Sequence, residues 1–367
     1  MELGGYAIQA ALERAELPAE QVNEVLFGHA IQAGQGQITA RQAARFGGIP
    51  MSTPATTINK VCLSRMTSIA EATRHIRLGE SDFVVAGGME SMTNTPHIVS
   101  GIRQGFGIGD RPLRDTVQHD GLWCSFDQCT MGESSDRKNH SLGIDRNKQD
   151  EWAAASHNRA LAASESGAFA DEITPVPVSD GKEGSFVSNR DEGIRPGTTV
   201  EKLSSLHPAF SSKGTITAGN ASQISDGAAA VVVADRKAAE AAKLPILAEV
   251  ISFGQTAGPD ATLHERPAEA LEIALKHASL KVADLDLVEI NEAFISVAIW
   301  SSQILQLDHS IVNVNGGAVA LGHPLGATGA RIAVTLINAL RNRGGGIGAA
   351  ALCGGGGQGD ALVLRVA

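Results

Sequence analysis

The segment FVVAGG, residues 83–88, has the pattern of a buried β-strand that ends in a glycine pair. A second segment, AALCGG at residues 350–355, repeats this pattern in the other half of the chain. A predicted helix precedes each strand, and a turn with a reactive residue precedes each helix: Cys62 in the first half and His323 in the second. Strands that alternate with helices indicate a parallel sheet. The chain is therefore predicted to be an α/β protein that contains a duplicated unit.

Length and composition exclude several classes of protein. A chain of 367 residues with 43% hydrophobic and 19% charged residues is ordinary for a soluble globular protein of two or three domains. The net charge is -10 and no dense run of Lys and Arg occurs, so nucleic acid is not expected as the main partner. No apolar run reaches the ~18 residues of a membrane span, and the first residues do not have the pattern of a signal peptide. We expect no membrane partner.

The cysteines indicate the compartment. The four cysteines are too few for a disulfide scaffold, which fits a reducing compartment, and we expect the cytoplasm. Cys124 and Cys129 are separated by four residues, with no second cysteine pair to complete a zinc site. No metal is therefore expected.

The middle of the chain differs from both ends. From about Asn94 to Lys213 the sequence is polar and irregular, with a predicted helix from Arg146 to about Ala163 and predicted hairpins between residues 171 and 200. It is too long for a structureless loop, so it is predicted to be a large insertion. The predicted domains are residues 1–93 with 214–244, the insertion 94–213, and residues 245–367.

Two residues could act as nucleophile and base. Cys62 stands just before a predicted helix, whose free N–H groups and dipole favour a thiolate; the alternative is a buried core cysteine. His323 is held between Gly322 and Pro324, so it could act as a general base or donate to an oxyanion; the alternative is a packed turn histidine.

Two further positions could bind a reacting group. Cys353 precedes four glycines, whose N–H groups could face a thioester oxygen or a phosphate, although a tight turn would use the same residues. Asn291 follows a predicted strand, at the edge where α/β proteins bind ligands; it could equally cap the next helix.

These residues lie in a series of motifs that resembles the thiolase family. The matching motifs occur in the family's order and cover essentially the whole chain: NKVC (59–62), VAGGMESM (85–92), TAGNAS (217–222), DGAA (226–229), NEAF (291–294), NVNGGA (313–318), GHP (322–324) and LCGG (352–355). The resemblance implies two thiolase-type α/β halves in a layered αβαβα arrangement, with an inserted loop domain that covers coenzyme A.

The resemblance also implies the roles of the site residues. Cys62 is expected to take the acyl group from acyl-CoA, and His323 to activate it. His323 and a water held by Asn291 are expected to stabilise the enolate oxygen, with Cys353 as the general acid and base. The N–H groups of Cys62 and Gly355 are expected to form the second oxyanion hole. Coenzyme A thioesters are the implied substrates, without a bound cofactor, and a homodimer or homotetramer is implied.

Four residues are expected to contact the substrate or coenzyme A. Ser252 matches the family's pantetheine-contacting serine, and Leu263 is assigned to the same site. His207 stands where an adenine-contacting arginine is often found, and Thr130 stands where some short-chain members have a pocket histidine. The implied activity is formation or cleavage of acetoacetyl-CoA. The alternatives are a longer-chain 3-ketoacyl-CoA thiolase and a CoA-binding protein with little catalysis.

Two departures from the family carry expectations of their own. Arg65 replaces a family glycine after the nucleophile; it is expected either to point toward Cys62 and favour the thiolate, or to point away into a surface or interface ion pair. The chain also opens within the family's first helix. By resemblance the preceding strand lies in the middle of the first sheet, so two neighbouring strands are expected to lack a hydrogen-bonding partner, at a cost in stability.

Overall fold

The fold is built on two four-stranded sheets, and the computed structural model describes residues 1–179 and 184–367. The first helices and strands are α1 Glu2–Arg14, β1 Glu24–Gly28, α2 Thr39–Phe46, β2 Ala55–Ile58, α3 Ser64–Arg77 and β3 Phe83–Ser91. The middle of the chain contains β4 His97–Ile98, β5 Arg114–Asp115, the π-helix Val117–Leu122, β6 Trp123–Cys124, β7 Cys129–Thr130, α4 Met131–Leu142, α5 Arg146–Ser166, β8 Val176–Ser179, β9 Ser185–Ser188 and α6 Val200–Ser204. The remainder contains β10 Asp226–Ala234, α7 Arg236–Ala241, β11 Glu249–Ala257, α8 Arg266–Ala278, β12 Leu287–Ile290, α9 Ile295–Ile304, α10 Ala318–Leu321, α11 Thr328–Asn342, β13 Gly346–Gly354 and β14 Gln358–Val366.

The first sheet has the strand order β10-β3-β1-β2. Strands β1, β2 and β3 are parallel, and β10 runs antiparallel to β3. A Cβ atom on Gly88 of β3 would lie 2.3 Å from the carbonyl oxygen of Gly28, so glycine is required for this close approach. The four strands pair in unbroken order. The expected gap in the middle of this sheet was therefore wrong.

The second sheet repeats the first with the order β11-β14-β13-β12. Its parallel pair β12–β13 corresponds to β1–β3, and the antiparallel β14 corresponds to β10. Strand β11 adds antiparallel to β14. Among residues 1–179 and 184–367, no strand occupies the equivalent place beside β10. The repeated order confirms the predicted duplication.

Three helical layers alternate with the two sheets. Helices α3 and α11 lie between the sheets, where Met66 and Leu336 pack against apolar residues of both. Helices α1 and α2 cover the outer face of the first sheet through Ile8 and Ala43. Helices α8 and α9 cover the outer face of the second through residues such as Leu271. The apolar stripe of each helix is thus buried on a sheet face, and the layers follow the predicted αβαβα order.

The middle segment is anchored to the two halves by buried polar contacts. One carboxylate oxygen of Asp136 in α4 accepts the N–H groups of Thr215 and Ile216, at 2.8 and 2.9 Å. Strands β8 and β9 form a hairpin in the range where hairpins were predicted. The predicted insertion 94–213 includes residues 180–183, which lie outside the described residues, and its boundaries stay a prediction. None of the helices in the described ranges has the length and apolar character needed to cross a bilayer.

Candidate active site

Cys62 lies on a strained turn between β2 and α3. Val61 has a φ of +50°, which is rare for a β-branched residue and typical of functional turns. Ser64 holds this turn: its Oγ accepts the N–H of Lys60 at 2.8 Å and donates to the Val61 carbonyl at 2.6 Å. The local hydrogen bonds therefore fix the direction of the Cys62 side chain.

A buried carboxylate of the second half binds the same turn. Asp360 of β14 accepts the Lys60 Nζ at 2.7 Å and the Thr67 hydroxyl at 2.8 Å. Its carboxylate is fully buried, so these partners compensate for its desolvation. The nucleophile turn of one half is thereby attached to the central strands of the other.

Burial determines the protonation of Cys62. It raises the pKa of the thiol to about 12; the N–H groups of Cys62 itself and of Gly355 oppose this shift, and the Glu90 carboxylate adds to it. The backbone N–H groups of the turn therefore favour the thiolate, in the expected direction, but desolvation outweighs them in the resting protein. Two N–H groups nevertheless face the sulfur, and they can receive an oxyanion formed there.

His323 is held as a neutral base. Its Nδ1 lies 2.6 Å from Thr328 Oγ1, and that hydroxyl donates its hydrogen to the Pro324 carbonyl at 3.0 Å. Thr328 can therefore only accept from His323, so Nδ1 carries the proton and Nε2 has the free lone pair. Burial lowers the pKa of His323 to about 3, with Arg331 adding to the shift, so the ring is neutral at physiological pH.

Asn291 supplies an amide beside this ring. Its Nδ2 lies 3.5 Å from both ring nitrogens of His323, and its Oδ1 is buried with no partner among the described residues. An amide placed in this way can hold a water or a substrate oxygen. The helix-capping alternative was wrong, because α9 begins at Ile295 with Phe294 as its N-cap.

Cys353 ends β13 on the other side of the site. Burial raises the pKa of its thiol, and the negative charge that Cys62 can carry raises it further, so the two thiols are close enough to interact. Its apolar surroundings include Leu263 and Phe294. The adjoining Gly355 contacts the Cys62 turn, since a Cβ there would lie 3.5 Å from Val61.

A cavity of about 620 Å³ opens beside this cluster. Its walls include Val61, Gly355, Met131 and Leu263. Of the predicted site residues, Leu263 and Gly355 line this cavity, and Leu263 also packs in one apolar cluster with Cys353.

The structure does not bring the other three predicted contact residues to the walls of this cavity. The Ser252 hydroxyl donates to the Ala274 carbonyl at 2.7 Å and is buried beneath α8. Thr130 caps α4, where its Oγ1 accepts the N–H of Glu133 at 3.1 Å. His207 is exposed to solvent.

Sequence reasoning missed Glu90 as a structural centre of the site. The Glu90 carboxylate accepts the N–H groups of Ala30 and Gly326 at 3.0 and 2.9 Å, and lies 3.2 Å from His29 Nε2. Gly326 belongs to the turn that follows His323, so Glu90 positions that turn. The detectable signal was an acidic residue at the end of an otherwise apolar strand, in the motif at 85–92.

Arg65 is buried instead of lying at the surface. Its three guanidinium nitrogens have no hydrogen-bond partner in the described part of the chain, and the group lies 6.0 Å from the centre of the Phe27 ring. Burial lowers the pKa of Arg65 well below its ordinary value, with the Glu90 carboxylate opposing. The expected surface or interface ion pair was therefore wrong.

The site and fold together define the class of protein. Two buried thiols, a neutral histidine with a free Nε2 and backbone N–H groups aimed at one sulfur are suited to acyl transfer through a thioester. Across the described ranges, no group of three or more His, Cys, Asp or Glu is arranged to hold a metal ion. The molecule is an acyltransferase on a duplicated α/β framework.

Comparisons with known proteins identify the family. The thiolase N-terminal domain model matches residues 1–237, and the thiolase C-terminal domain model matches residues 244–366. The chain belongs to the thiolase family. Its substrates are coenzyme A thioesters, as they are throughout that family.

Relatives match over nearly their full length. A probable acetyl-CoA acetyltransferase of Mycolicibacterium smegmatis is 50% identical over 99% of this chain and 94% of that protein. The acetyl-CoA acetyltransferase of Escherichia coli is 44% identical over 100% of this chain and 93% of its own. The crystal structure of the Bacillus anthracis acetyl-CoA acetyltransferase superimposes with a TM-score of 0.96 at 38% identity, covering 100% of this chain and 92% of that one.

Proposed function

We propose that this protein is an acetyl-CoA acetyltransferase, which joins two acetyl-CoA molecules into acetoacetyl-CoA and cleaves the product in reverse. The observation that carries the proposal is the pair of buried, interacting thiols of Cys62 and Cys353, with the N–H groups of Cys62 and Gly355 facing the Cys62 sulfur. The names of the relatives support the same acyl group.

In the first half-reaction, Cys62 takes the acetyl group. His323 Nε2 accepts the thiol proton as the sulfur attacks the thioester carbon, and the N–H groups of Cys62 and Gly355 bind the oxyanion. The proton then passes to the departing coenzyme A thiolate. Because both groups are neutral at rest, the proton transfer takes place only when a substrate is bound.

In the second half-reaction, the neutral Cys353 thiol gives its proton to His323 Nε2, and the resulting Cys353 thiolate removes a proton from the methyl group of a second acetyl-CoA. The enolate oxygen accepts hydrogen bonds from the His323 imidazolium and from a water held by Asn291. The carbanion attacks the acetyl group on Cys62, and the Cys62 sulfur leaves with the proton of the His323 imidazolium, which restores the neutral histidine. Cleavage runs through the same steps in reverse, with Cys353 protonating the carbanion.

A second candidate is cleavage of longer-chain 3-ketoacyl-CoA. The cavity of about 620 Å³ beside Cys62 favours it, since an acetyl group occupies only a small part of that volume. Thr130 also leaves this region without the histidine found in some short-chain thiolases, because its hydroxyl caps α4.

A thiolysis assay separates these candidates. Cleavage of acetoacetyl-CoA and of 3-ketohexadecanoyl-CoA would be followed by loss of enolate absorbance, with Cys62→Ala as the inactive control. We expect a higher kcat/KM for acetoacetyl-CoA. A higher value for the long-chain substrate supports the second candidate. If neither substrate is cleaved although coenzyme A still binds, the protein is a CoA-binding protein without this catalysis.

We propose also that the protein is a cytoplasmic homodimer or homotetramer. A reducing compartment keeps the four free cysteines, including Cys62 and Cys353, as thiols. Exposed apolar side chains in the segment from Ile102 to Leu113, among them Ile108, support an association surface. Light scattering of the purified protein tests the assembly: a mass of one chain would contradict it.

A further inference from the structure

A second pair of cysteines lies in the hairpin beside the cavity. Cys124 in β6 and Cys129 in β7 are direct partners in the antiparallel register, across a loop of residues 125–128. Direct partners project to the same face of a hairpin. Both thiols are buried and free. The acyl-transfer steps use neither of them.

The hairpin brings the two cysteines within disulfide range. Directly opposed residues of antiparallel strands have Cα atoms about 4.5–5.5 Å apart. Disulfides span Cα separations of about 4.4–6.8 Å. The register Cys124↔Cys129 therefore allows a bridge with only small side-chain movements.

Contacts around the pair distinguish the two thiols. The guanidinium of Arg137 in α4 donates to Cys129 Sγ at 2.6 Å, so a positive charge is available to stabilise a Cys129 thiolate. Burial raises the pKa of Cys129, and Arg137 is the main group that opposes this shift. Cys124 Sγ, by contrast, accepts the neutral backbone N–H of Asp127, at 3.3 Å.

Cys124 is the thiol within reach of a small molecule. It lines the cavity of about 620 Å³ together with Phe126 and Gly355, and Phe126 is exposed at its rim. Cys129 is not part of the cavity wall. A small disulfide that enters the cavity therefore meets Cys124 first.

We propose that Cys124 and Cys129 form a reversible disulfide when the protein meets a low-molecular-weight disulfide such as oxidised glutathione. The Cys124 sulfur loses its proton, attacks one sulfur of the oxidant and expels one glutathione thiolate, which takes up that proton. The deprotonated Cys129 sulfur then attacks Cys124 Sγ and releases the second glutathione as a thiol. Two protein thiols are oxidised and one disulfide is reduced to two thiols.

The bridge would restrain a segment that enters the active site. Thr130, which caps α4, and Met131, which packs near Cys353, follow Cys129 directly. Closing the hairpin fixes the start of α4 while leaving Cys62 and Cys353 as thiols. The pair is therefore a modification site separate from the acyl-transfer chemistry.

Peptide mapping of the full chain tests the proposal. The protein would be incubated with oxidised glutathione, unfolded, treated with N-ethylmaleimide and digested with trypsin. The peptide 115–137 contains both cysteines and no internal cleavage site. We expect it to lose two hydrogens and to carry no maleimide, while the peptides with Cys62 and Cys353 are labelled. Dithiothreitol should restore two labels to 115–137.

Three variants test the order of steps. Cys129→Ser should stop at a glutathione adduct on Cys124, whereas Cys124→Ser should form no adduct at Cys129. Arg137→Met should slow conversion of the adduct to the bridge by ~10-fold, the effect of about one pKa unit on the thiolate fraction. The proposal is overturned if both thiols of 115–137 stay labelled, if Cys62 and Cys353 are bridged instead, or if Cys124→Ser is modified at Cys129 as fast as Cys129→Ser is at Cys124.

Discussion

Thr328 determines which nitrogen of His323 can act on a substrate. Its hydroxyl already donates to the Pro324 carbonyl, so it can only accept from Nδ1 of the ring. The Nε2 lone pair can therefore accept a proton at rest, and the same nitrogen becomes a hydrogen-bond donor once it has taken a proton. One atom thus serves both half-reactions.

We expect His323→Ala and Asn291→Ala each to lower kcat by ~10²–10³, the usual cost of one oxyanion donor. KM for acetoacetyl-CoA should change less, because the lost hydrogen bonds form mainly in the transition state. Steady-state kinetics measures both constants. Asn158→Ala, at an exposed position in α5, is the matched control and should behave as wild type. An increase in KM alone would reassign these residues to substrate binding.

Arg65 is a second residue whose effect can be isolated. We expect Arg65→Met to raise the free energy of unfolding by ~1–3 kcal/mol, because an apolar side chain of similar length removes a buried cation with no hydrogen-bond partner in the described structure. Urea unfolding measures the change. Arg236→Met is the control: that guanidinium is exposed and makes only long ion pairs, at 3.7 Å.

The same variant tests whether Arg65 acts on the nucleophile. The charges and hydrogen bonds that shift the pKa of Cys62 include Glu90 and Gly355 but not Arg65. Curves of iodoacetamide reactivity against pH should therefore superimpose for wild type and Arg65→Met. A shifted curve, or a variant less stable than wild type, would show that the guanidinium has a stabilising partner.

At the scale of elements, the nucleophile turn depends on its attachment to β14. We expect Asp360→Asn to lower the rate of Cys62 acylation by about 10², the typical cost of a misplacement of about 1 Å, because the ion pair with Lys60 is lost. Stopped-flow acylation with acetyl-CoA measures this rate. Asp171→Asn, at an exposed position, is the control. A wild-type rate in Asp360→Asn would mean that the local hydrogen bonds of Ser64 hold the turn by themselves.

Several elements could be predicted from their own residues. Helix α5 begins at Arg146 as predicted, with Asp145 as its N-cap, and the buried strand before Gly87 is β3. Residues 311–314 have an apolar pattern typical of a strand, but they pair only through one bridge between Val288 and Val312. Asn313 turns the chain there with a φ of +47°, and its side chain takes the backbone hydrogen bonds of Ile290.

The placement of Ser252 depended on a feature that no local pattern reveals. Strand β11 has an irregular register between Val250 and Ser252, where Ile251 is left out of the pairing. Such a bulge reverses which side chains face which side of the sheet. The Ser252 hydroxyl therefore points to Ala274 of α8. A regular strand, in which side chains alternate between the two faces of the sheet, would not predict this direction.

At the scale of the molecule, the duplication was predictable because each half repeats its strand, turn and glycine pair in the sequence. The burial of Arg65 and the unbroken first sheet could not be predicted from the sequence, since both depend on how α3 and the strands pack between the halves. Two ionisable groups of the second half are also brought together by packing: Glu289 of β12 and Arg331 of α11 lie 3.8 Å apart.

Glu289 gives the whole molecule a pH-dependent stability. Burial raises its pKa from 4.5 to about 8, with Arg331 opposing and Glu292 adding to the shift. Between these two values the folded protein keeps a proton that the unfolded chain has lost. The free energy of unfolding therefore falls as pH rises through this window, and the loss is complete above about pH 8.

We expect Glu289→Gln to remove this contribution. Between about pH 5 and about pH 8 its unfolding free energy should fall less steeply than that of wild type, because the amide does not titrate. Urea unfolding at several pH values measures the slope. Glu272→Gln, at an exposed position in α8, should keep the wild-type slope. Equal slopes for Glu289→Gln and wild type would show that Glu289 is ionised in the folded protein at neutral pH.

The central claim is that Cys62 carries the acyl group while Cys353 moves the proton. The most direct test is mass spectrometry of the Cys353→Ala variant after mixing with acetyl-CoA, since that variant should accept an acetyl group and be unable to condense it. We predict one acetyl group, on the tryptic peptide 61–65, and none on Cys62→Ala treated in the same way. An acetyl group on Cys62→Ala at the wild-type level, or a Cys353→Ala protein that still forms acetoacetyl-CoA at the wild-type rate, would contradict the account.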